Sequence, residues 1–88
     1  MARVFPTSRE VAQPIIEALK ETLSVDDYGI HTERRNEAND VVVWYEVSIL
    51  SHEEFLRLIE IAASTHSRVA VLPDDKSRMK VELYVSLK

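Results

Sequence analysis

Residues 41–50 of the chain read Val-Val-Val-Trp-Tyr-Glu-Val-Ser-Ile-Leu, a run with neither glycine nor proline. Its density of β-branched and aromatic side chains predicts the longest, central strand of a sheet. Because successive side chains of a strand point to opposite faces, one face should carry the core-like set Val41, Val43, Tyr45, Val47 and Ile49. The other face is mixed, and it holds Val42, Trp44, Glu46, Ser48 and Leu50. We expect the first face to meet the core and the second to lie only partly in water.

A first amphipathic helix is predicted upstream of this strand. Thr7 and Glu10 have the spacing of a capping box, in which each side chain bonds the backbone amide of the other residue. Apolar residues then recur at every fourth position, as Val11, Ile15, Leu19 and Leu23. Pro14 lies inside this pattern, and its missing N–H predicts either a separate first turn or a bend.

The same capping logic follows the central strand, where Ser51 and Glu54 are three residues apart. Behind them comes an apolar stripe formed by Phe55, Leu58, Ile59 and Ala62 and widened by Leu56 and Ala63. This spacing predicts a second helix that packs its stripe on the core and runs to about Ser64.

Three further strands complete the predicted sheet. An edge strand is expected over residues 30–35, a hairpin loop over 36–40, a short strand over 68–72 and a cleanly alternating last strand over 79–88. Gly29 is the only glycine in the chain. We expect it to serve either a positive φ or a close backbone approach.

The order of these elements predicts one α+β domain over residues 1–88. An αββαββ order with hairpin-joined strands is most simply built as a four-stranded antiparallel sheet with two helices packed on one face. The alternative is a ferredoxin-like variant, which a short N-terminal strand at Arg3–Phe5 would create.

Composition and charge narrow the classes of function. The 88 residues are 45% hydrophobic and 30% charged, which is typical of a folded domain. No cysteine is present, so thiolate catalysis and cysteine-based metal sites are excluded, and no apolar run is long enough to span a membrane. We therefore expect a cytoplasmic protein with no membrane partner. The net charge of −4 is concentrated in residues 25–40 and 51–66, which argues against nucleic acid as a direct ligand.

No motif in the sequence carries chemistry by itself. The three histidines, His31, His52 and His66, have no metal-ligand spacing, and the acidic clusters coincide with turns or with the start of a helix. Neither a glycine-rich phosphate loop nor a nucleophile elbow is present. The sequence therefore predicts a protein that is not an enzyme and has no catalytic residue, cofactor or metal.

The mixed face of the sheet is the predicted binding surface. Aromatic and aliphatic side chains rimmed by charge are typical of protein interfaces. The predicted interface residues are Val42, Trp44, Leu50, Leu72 and Tyr84. We interpret the chain as a small protein–protein interaction module that forms a homodimer through this outer sheet face and acts by occupying a partner's surface.

Three alternatives stay open. The first is an acidic inhibitor of the virus-encoded antagonist type, which would block a nucleic-acid-binding enzyme by phosphate mimicry with Asp26, Asp27, Glu37, Asp40, Glu53 and Glu54. The second is a small-molecule-binding domain or minor enzyme that uses a groove between the helices and the sheet edge, with Tyr28, His31 and His52. The third is an RNA binder that stacks bases on Trp44 and Tyr84.

Overall fold

The computed structural model describes residues 8–35, 38–74 and 78–87. Within them the chain forms α1 (Ser8–Leu23), β1 (Gly29–Arg35), β2 (Ala38–Val47), α2 (His52–Thr65), β3 (Arg68–Pro73) and β4 (Met79–Leu87). This order confirms the predicted αββαββ arrangement. The predicted cap at Thr7 and the alternative strand at Arg3–Phe5 lie outside the described residues.

The four strands form one antiparallel sheet in the order β1-β2-β4-β3. Each hairpin supplies two neighbouring strands, and the two hairpins join where β2 pairs with β4. Because β2 and β3 are both antiparallel to β4, they run in the same direction. The connection through α2 therefore crosses over β4, as in a split β-α-β unit.

One hydrophobic core lies between the sheet and the two helices. Its buried members come from α1, from alternate positions of β2 and β4 and from α2: Ala12, Ile15, Ile16, Leu19, Val41, Val43, Tyr45, Leu58, Ile61, Val81 and Leu83. Val43 lies opposite Leu83 in the central register. The structure thus confirms a four-stranded antiparallel sheet with both helices on one face, and it confirms the predicted core face of β2 as far as Val47.

The predicted bounds of the central strand were wrong at both ends. β2 begins at Ala38, within the stretch predicted as a hairpin loop, because pairing with β1 continues to Arg35 opposite Ala38. It ends at Val47, so Ile49 is not a core residue and is 76% exposed. Ser51 must turn the chain to start α2 on the helix side of the sheet, which takes the three preceding residues out of the strand.

The two ends of α2 have identifiable causes. In α2 the predicted capping box is confirmed: Ser51 Oγ accepts from the Glu54 N–H at 3.1 Å, and Glu54 Oε1 accepts from the Ser51 N–H at 3.2 Å. α2 ends at Thr65 and is capped by His66, whose left-handed backbone (φ 56°) turns the chain so that the Ser67 N–H donates to the Ala62 carbonyl at 2.9 Å. In α1 the assigned helix continues through Pro14.

The predicted packing of α2 is only partly correct. Leu58 and Ala62 are buried, together with Ile61, but three other large residues of the stripe are left 39–49% exposed: Phe55, Leu56 and Ile59. A helix can bury only the sector that faces the sheet. The apolar residues of α2 spread over a wider arc than that sector.

Gly29 is required by a close approach and not by a positive φ. Its register partner is Trp44, and a Cβ atom added to Gly29 would overlap the indole ring of Trp44. No described glycine has a positive φ. The Trp44 ring therefore lies directly against the backbone of β1 on the sheet face opposite the helices.

We expect Leu83→Ala to lower the free energy of unfolding by about 2 to 5 kcal/mol, because Leu83 is fully buried and its loss leaves a cavity. Urea unfolding followed by far-UV circular dichroism measures this change. Ser86→Ala, on the exposed side of the same strand, is the control and should change stability by less than about 1 kcal/mol. Equal losses in the two variants would contradict the assigned register.

We expect Gly29→Ala to cost about 1 to 3 kcal/mol of stability, because the added methyl group must displace the Trp44 ring. The same substitution in a Trp44→Leu background should cost clearly less, since the obstructing ring is gone. Urea unfolding of the four proteins in this double-mutant cycle measures the coupling. Additive costs would show that Gly29 has another role.

Candidate functional site

Trp44 is the centre of the predicted interface, and its ring contacts other residues of the same chain. One contact is Gly29, and Lys80 Nζ lies 4.7 Å from the centre of the ring, within the range of a cation–π interaction. Lys80 Nζ is also 3.5 Å from Glu82 Oε2. A base stacking on Trp44, as the RNA-binding alternative requires, would have to displace Lys80.

The other predicted interface residues are not equally accessible. Val42 does lie on the outer face, but it is fully buried between its register partners His31 and Tyr84, so it offers no surface to a partner. Leu50 lies beyond the end of β2 and packs against the core, because the chain has already left the sheet. Both placements are corrections. Leu72, at 43% exposure, is the most exposed member of the predicted set, and Tyr84 is half-buried on the same face.

Most of the exposed large apolar side chains among the described residues lie on α2 or just before it. Phe55, Leu56, Ile59 and Ala63 are exposed and follow helical spacing, so they form one continuous strip, here called the α2 stripe. Ile49, just before the helix, adds a further exposed apolar side chain. Periodicity could not predict this surface, because it reports which residues share a helix face but not how much of that face is covered.

The structure brings only part of the predicted acidic set together. Asp26, Asp27 and Glu54 line one cavity. Glu53 instead binds Arg57 at 3.1 Å along α2. Asp40 accepts from the Ser86 hydroxyl at 3.3 Å, about 13 Å along the strand from Trp44. Glu37 lies outside the described residues, and the phosphate-mimicry alternative stays a prediction.

Two adjoining cavities open at the end of the sheet where β2 finishes. The first, here called the acidic cavity, has a volume of about 260 Å³ and is lined by Leu23, Ser24, Val25, Asp26, Asp27, Tyr45, Glu46, Val47 and Glu54. The neighbouring cavity, of about 200 Å³, is lined by Asp27, Tyr28, Gly29, Trp44, Tyr45, Glu46 and Arg78. Asp27, Tyr45 and Glu46 line both cavities, and the sequence alone assigned no binding role to Tyr45 or Glu46. The one available signal was a tyrosine, with its polar hydroxyl, among the valines of a core face.

Burial and neighbouring carboxylates raise the pKa values of two residues at this end of the sheet. Burial, with a smaller effect of the Glu54 charge, raises the pKa of Tyr45 from 10.0 to about 12. The pKa of Glu46 is also raised, chiefly by a hydrogen bond with the Asp74 side chain and by the Asp74 charge, against an opposing effect of Arg78 and Lys80. Glu46 and Asp74 are therefore close enough to compete for a proton.

The histidines do not meet. His31 Nε2 lies 3.9 Å from Glu33 Oε2 on the outer face, while His52 begins α2 and His66 ends it. The described residues contain no group of three or more histidine, aspartate or glutamate side chains placed to hold a metal ion. The predicted small-molecule groove is not assembled as expected, because Tyr28 lines the neighbouring cavity and neither His31 nor His52 does.

We expect the raised pKa of Tyr45 to make folding stability fall at high pH. Between pH 10 and 12 the unfolded chain loses this proton while the native state keeps it, so the contribution is complete below pH 10 and is lost as pH rises through 12. The expected loss between pH 9 and pH 11.5 is about 1 to 2 kcal/mol. Urea unfolding at pH 9 and pH 11.5 measures it.

Tyr45→Phe is the control for this measurement, because it keeps the ring and every other titrating group. The variant should lose less stability than the wild type between the two pH values. Parallel losses in both proteins would show that Tyr45 does not titrate with a raised pKa.

Comparisons with known proteins identify no family or function for this chain. No helix in the described part of the chain is long and apolar enough to cross a membrane. A cytoplasmic location stays a prediction. No protein-family model, no curated protein and no solved structure matches this chain.

Proposed function

We propose that this protein is a non-enzymatic protein–protein interaction module that forms a homodimer by packing α2 of one copy against α2 of a second copy. The observation that carries the proposal is the α2 stripe. Of the five large apolar side chains exposed in the described residues, four lie on α2 or just before it: Ile49, Phe55, Leu56 and Ile59. Contiguous exposed apolar surface of this kind is characteristic of binding surfaces.

The polar side chains beside the stripe favour a second copy as its occupant. His52 and Glu60 are both exposed on α2 and lie four residues before and four after Leu56. An antiparallel, two-fold pairing centred on Leu56 therefore puts His52 of each copy beside Glu60 of the other. Such an isologous contact buries the same stripe twice and lets an imidazole N–H of each His52 donate to the Glu60 carboxylate of the other copy.

Self-association also suits the size of the domain. A chain of 88 residues buries a modest fraction of its surface on folding, so its core leaves little margin of stability. Burying the α2 stripe of two copies would add apolar contact that the monomer cannot make. The protein would act on its partners by occupying their surfaces through the faces that the dimer leaves free.

The outer sheet face is the second candidate for the dimer contact. Leu72 favours it, being 43% exposed on that face. Val42 is buried, however, and Trp44 already contacts Gly29 and Lys80. The α2 stripe therefore has the stronger support.

Sedimentation over a concentration series tests the dimer and its location together. Leu56 and Leu72 form a matched pair, since both are exposed leucines, at 49% and 43%, on different surfaces. We expect a wild-type dimer, a folded monomer for Leu56→Glu and an unchanged dimer for Leu72→Glu. The buried carboxylate in Leu56→Glu should weaken association at least about tenfold.

Circular dichroism verifies that both variants fold. A wild type that stays monomeric at every concentration would overturn the proposal. Dissociation by Leu72→Glu and not by Leu56→Glu would overturn the assignment to α2 and place the contact on the outer sheet face.

A further inference from the structure

We propose that β3 of one copy pairs antiparallel with β3 of a second copy, so that the dimer contains one continuous sheet with four strands from each chain. This inference rests on the proposed α2 dimer and names a second part of its interface. β3 lies at an edge of the sheet and pairs only with β4 among the described residues. An edge strand presents backbone N–H and C=O groups that an added strand can bond in a regular row.

One hydrogen bond fixes the direction of the backbone groups of β3. The Asp74 N–H donates to the Arg78 carbonyl at 2.9 Å, so these two residues continue the β3–β4 ladder as a hydrogen-bonded pair. In an antiparallel ladder such pairs alternate with pairs that exchange no bonds. The even-numbered residues of β3 therefore bond β4. Val69 and Val71 direct their N–H and C=O groups, and Pro73 its C=O group, away from the sheet.

The two edges of the sheet differ in how strongly they oppose an added strand. β1 carries three consecutive charged residues, Glu33, Arg34 and Arg35, and charges on an edge strand discourage pairing. β3 is charged only at its first residue, Arg68, which is followed by Val-Ala-Val-Leu. Pro73 has no N–H, so it limits pairing to the residues before it, but its carbonyl can still accept. The β3 edge is therefore the better site for a second strand.

Symmetry and charge together select the register of this pairing. With the two-fold axis at Val71, the two Val71 residues exchange both of their backbone bonds, and each Val69 N–H donates to the Pro73 carbonyl of the other copy. On the outer face, Arg68 of each copy then lies opposite Asp74 of the other. Opposite charges that face each other across two strands stabilise the pairing. A shift of the axis to a neighbouring residue would lose both of these charge pairs.

The β3 edge and the α2 stripe face the same side of the molecule. Glu54 lines a cavity with residues at the end of α1, so the side of α2 that carries Glu54 and Ile61 faces α1. Ile59, in the stripe, lies about 160° around the helix from Ile61 and therefore points away from α1. α1 packs on β1, β2 and β4, whereas α2 packs on β3. The direction away from α1 is consequently that of the β3 edge.

One two-fold axis can serve both contacts. Val71 lies about 10 Å from the start of β3, and Leu56 lies about 14 Å before the end of α2, which runs antiparallel to β3. The two centres thus differ by about 4 Å, less than one helical turn. α2 shares one core with Val69 of β3 and Leu83 of β4, which places it above both strands. With paired strands about 4.8 Å apart, the two α2 axes would then be about 10 Å apart, the distance of packed helices.

Hydrogen exchange of single amides, followed by NMR in heavy water, tests the strand pairing. We expect the Val69 and Val71 amides to exchange at least about tenfold more slowly in the wild-type dimer than in the Leu56→Glu monomer, because they donate across the interface only in the dimer. By the same alternation, Ile30 and Thr32 direct their amides outward from the β1 edge. They are the internal control and should exchange at equal rates in both proteins.

Charge exchange tests the register. Arg68→Glu sets a carboxylate opposite Asp74 of the other copy and should raise the Kd of the dimer roughly three- to tenfold. Adding Asp74→Arg restores opposite charges and should return the Kd to within about twofold of the wild-type value. Arg9→Glu makes the same charge change on the exposed start of α1 and should leave the Kd unchanged. Leu72 lies opposite Ala70 of the other copy on the water-accessible outer face, so Leu72→Glu stays compatible with the dimer.

The outcomes separate the strand pairing from the helix contact. A wild type that stays monomeric would overturn both. A wild-type dimer that Leu56→Glu dissociates, with equal exchange of the Val69 and Val71 amides in the two proteins, would overturn the strand pairing alone. Protected amides together with a Kd that Arg68→Glu leaves unchanged would overturn the register centred on Val71.

Discussion

The pairing of β2 with β4 is the constraint on which the rest of the structure depends. It runs over nine register pairs, from Asn39 opposite Leu87 to Val47 opposite Met79. Each half of the chain alone would be a two-stranded hairpin with one helix, an arrangement of marginal stability in water. Joining the hairpins makes a sheet wide enough for both helices, and their apolar faces then share one core.

The same pairing decides which apolar groups are left in contact with water. On the outer face, Trp44 lies against Gly29 and under Lys80. The largest side chain of that face is therefore partly covered by residues of the same chain. On the helix side, α2 covers the sheet with Leu58, Ile61 and Ala62 and turns its remaining apolar residues to solvent. The candidate protein-binding surface consequently moves from the sheet to the helix.

Charge at the end of the sheet is assembled from segments that are distant in sequence. The acidic cavity combines the loop after α1, the end of β2 and the first turn of α2 around Tyr45. Several of these acidic residues have a local explanation, such as a loop position for Asp26 and a capping box for Glu54. Their common position at one cavity is a property of the fold, because the three segments that carry them meet only in the tertiary structure.

The sequence by itself determined the order of the elements, the α2 capping box and the core face of β2, because periodicity and caps depend on neighbours a few residues away. It also indicated that the backbone at Gly29 needs either a positive φ or a close approach by another group. Only the tertiary structure decided where β2 ends, that Val42 is buried, that the α2 stripe is exposed and that Tyr45 lines a cavity. These features depend on which surfaces meet, and a side chain's exposure is set by residues far along the chain that pack against it.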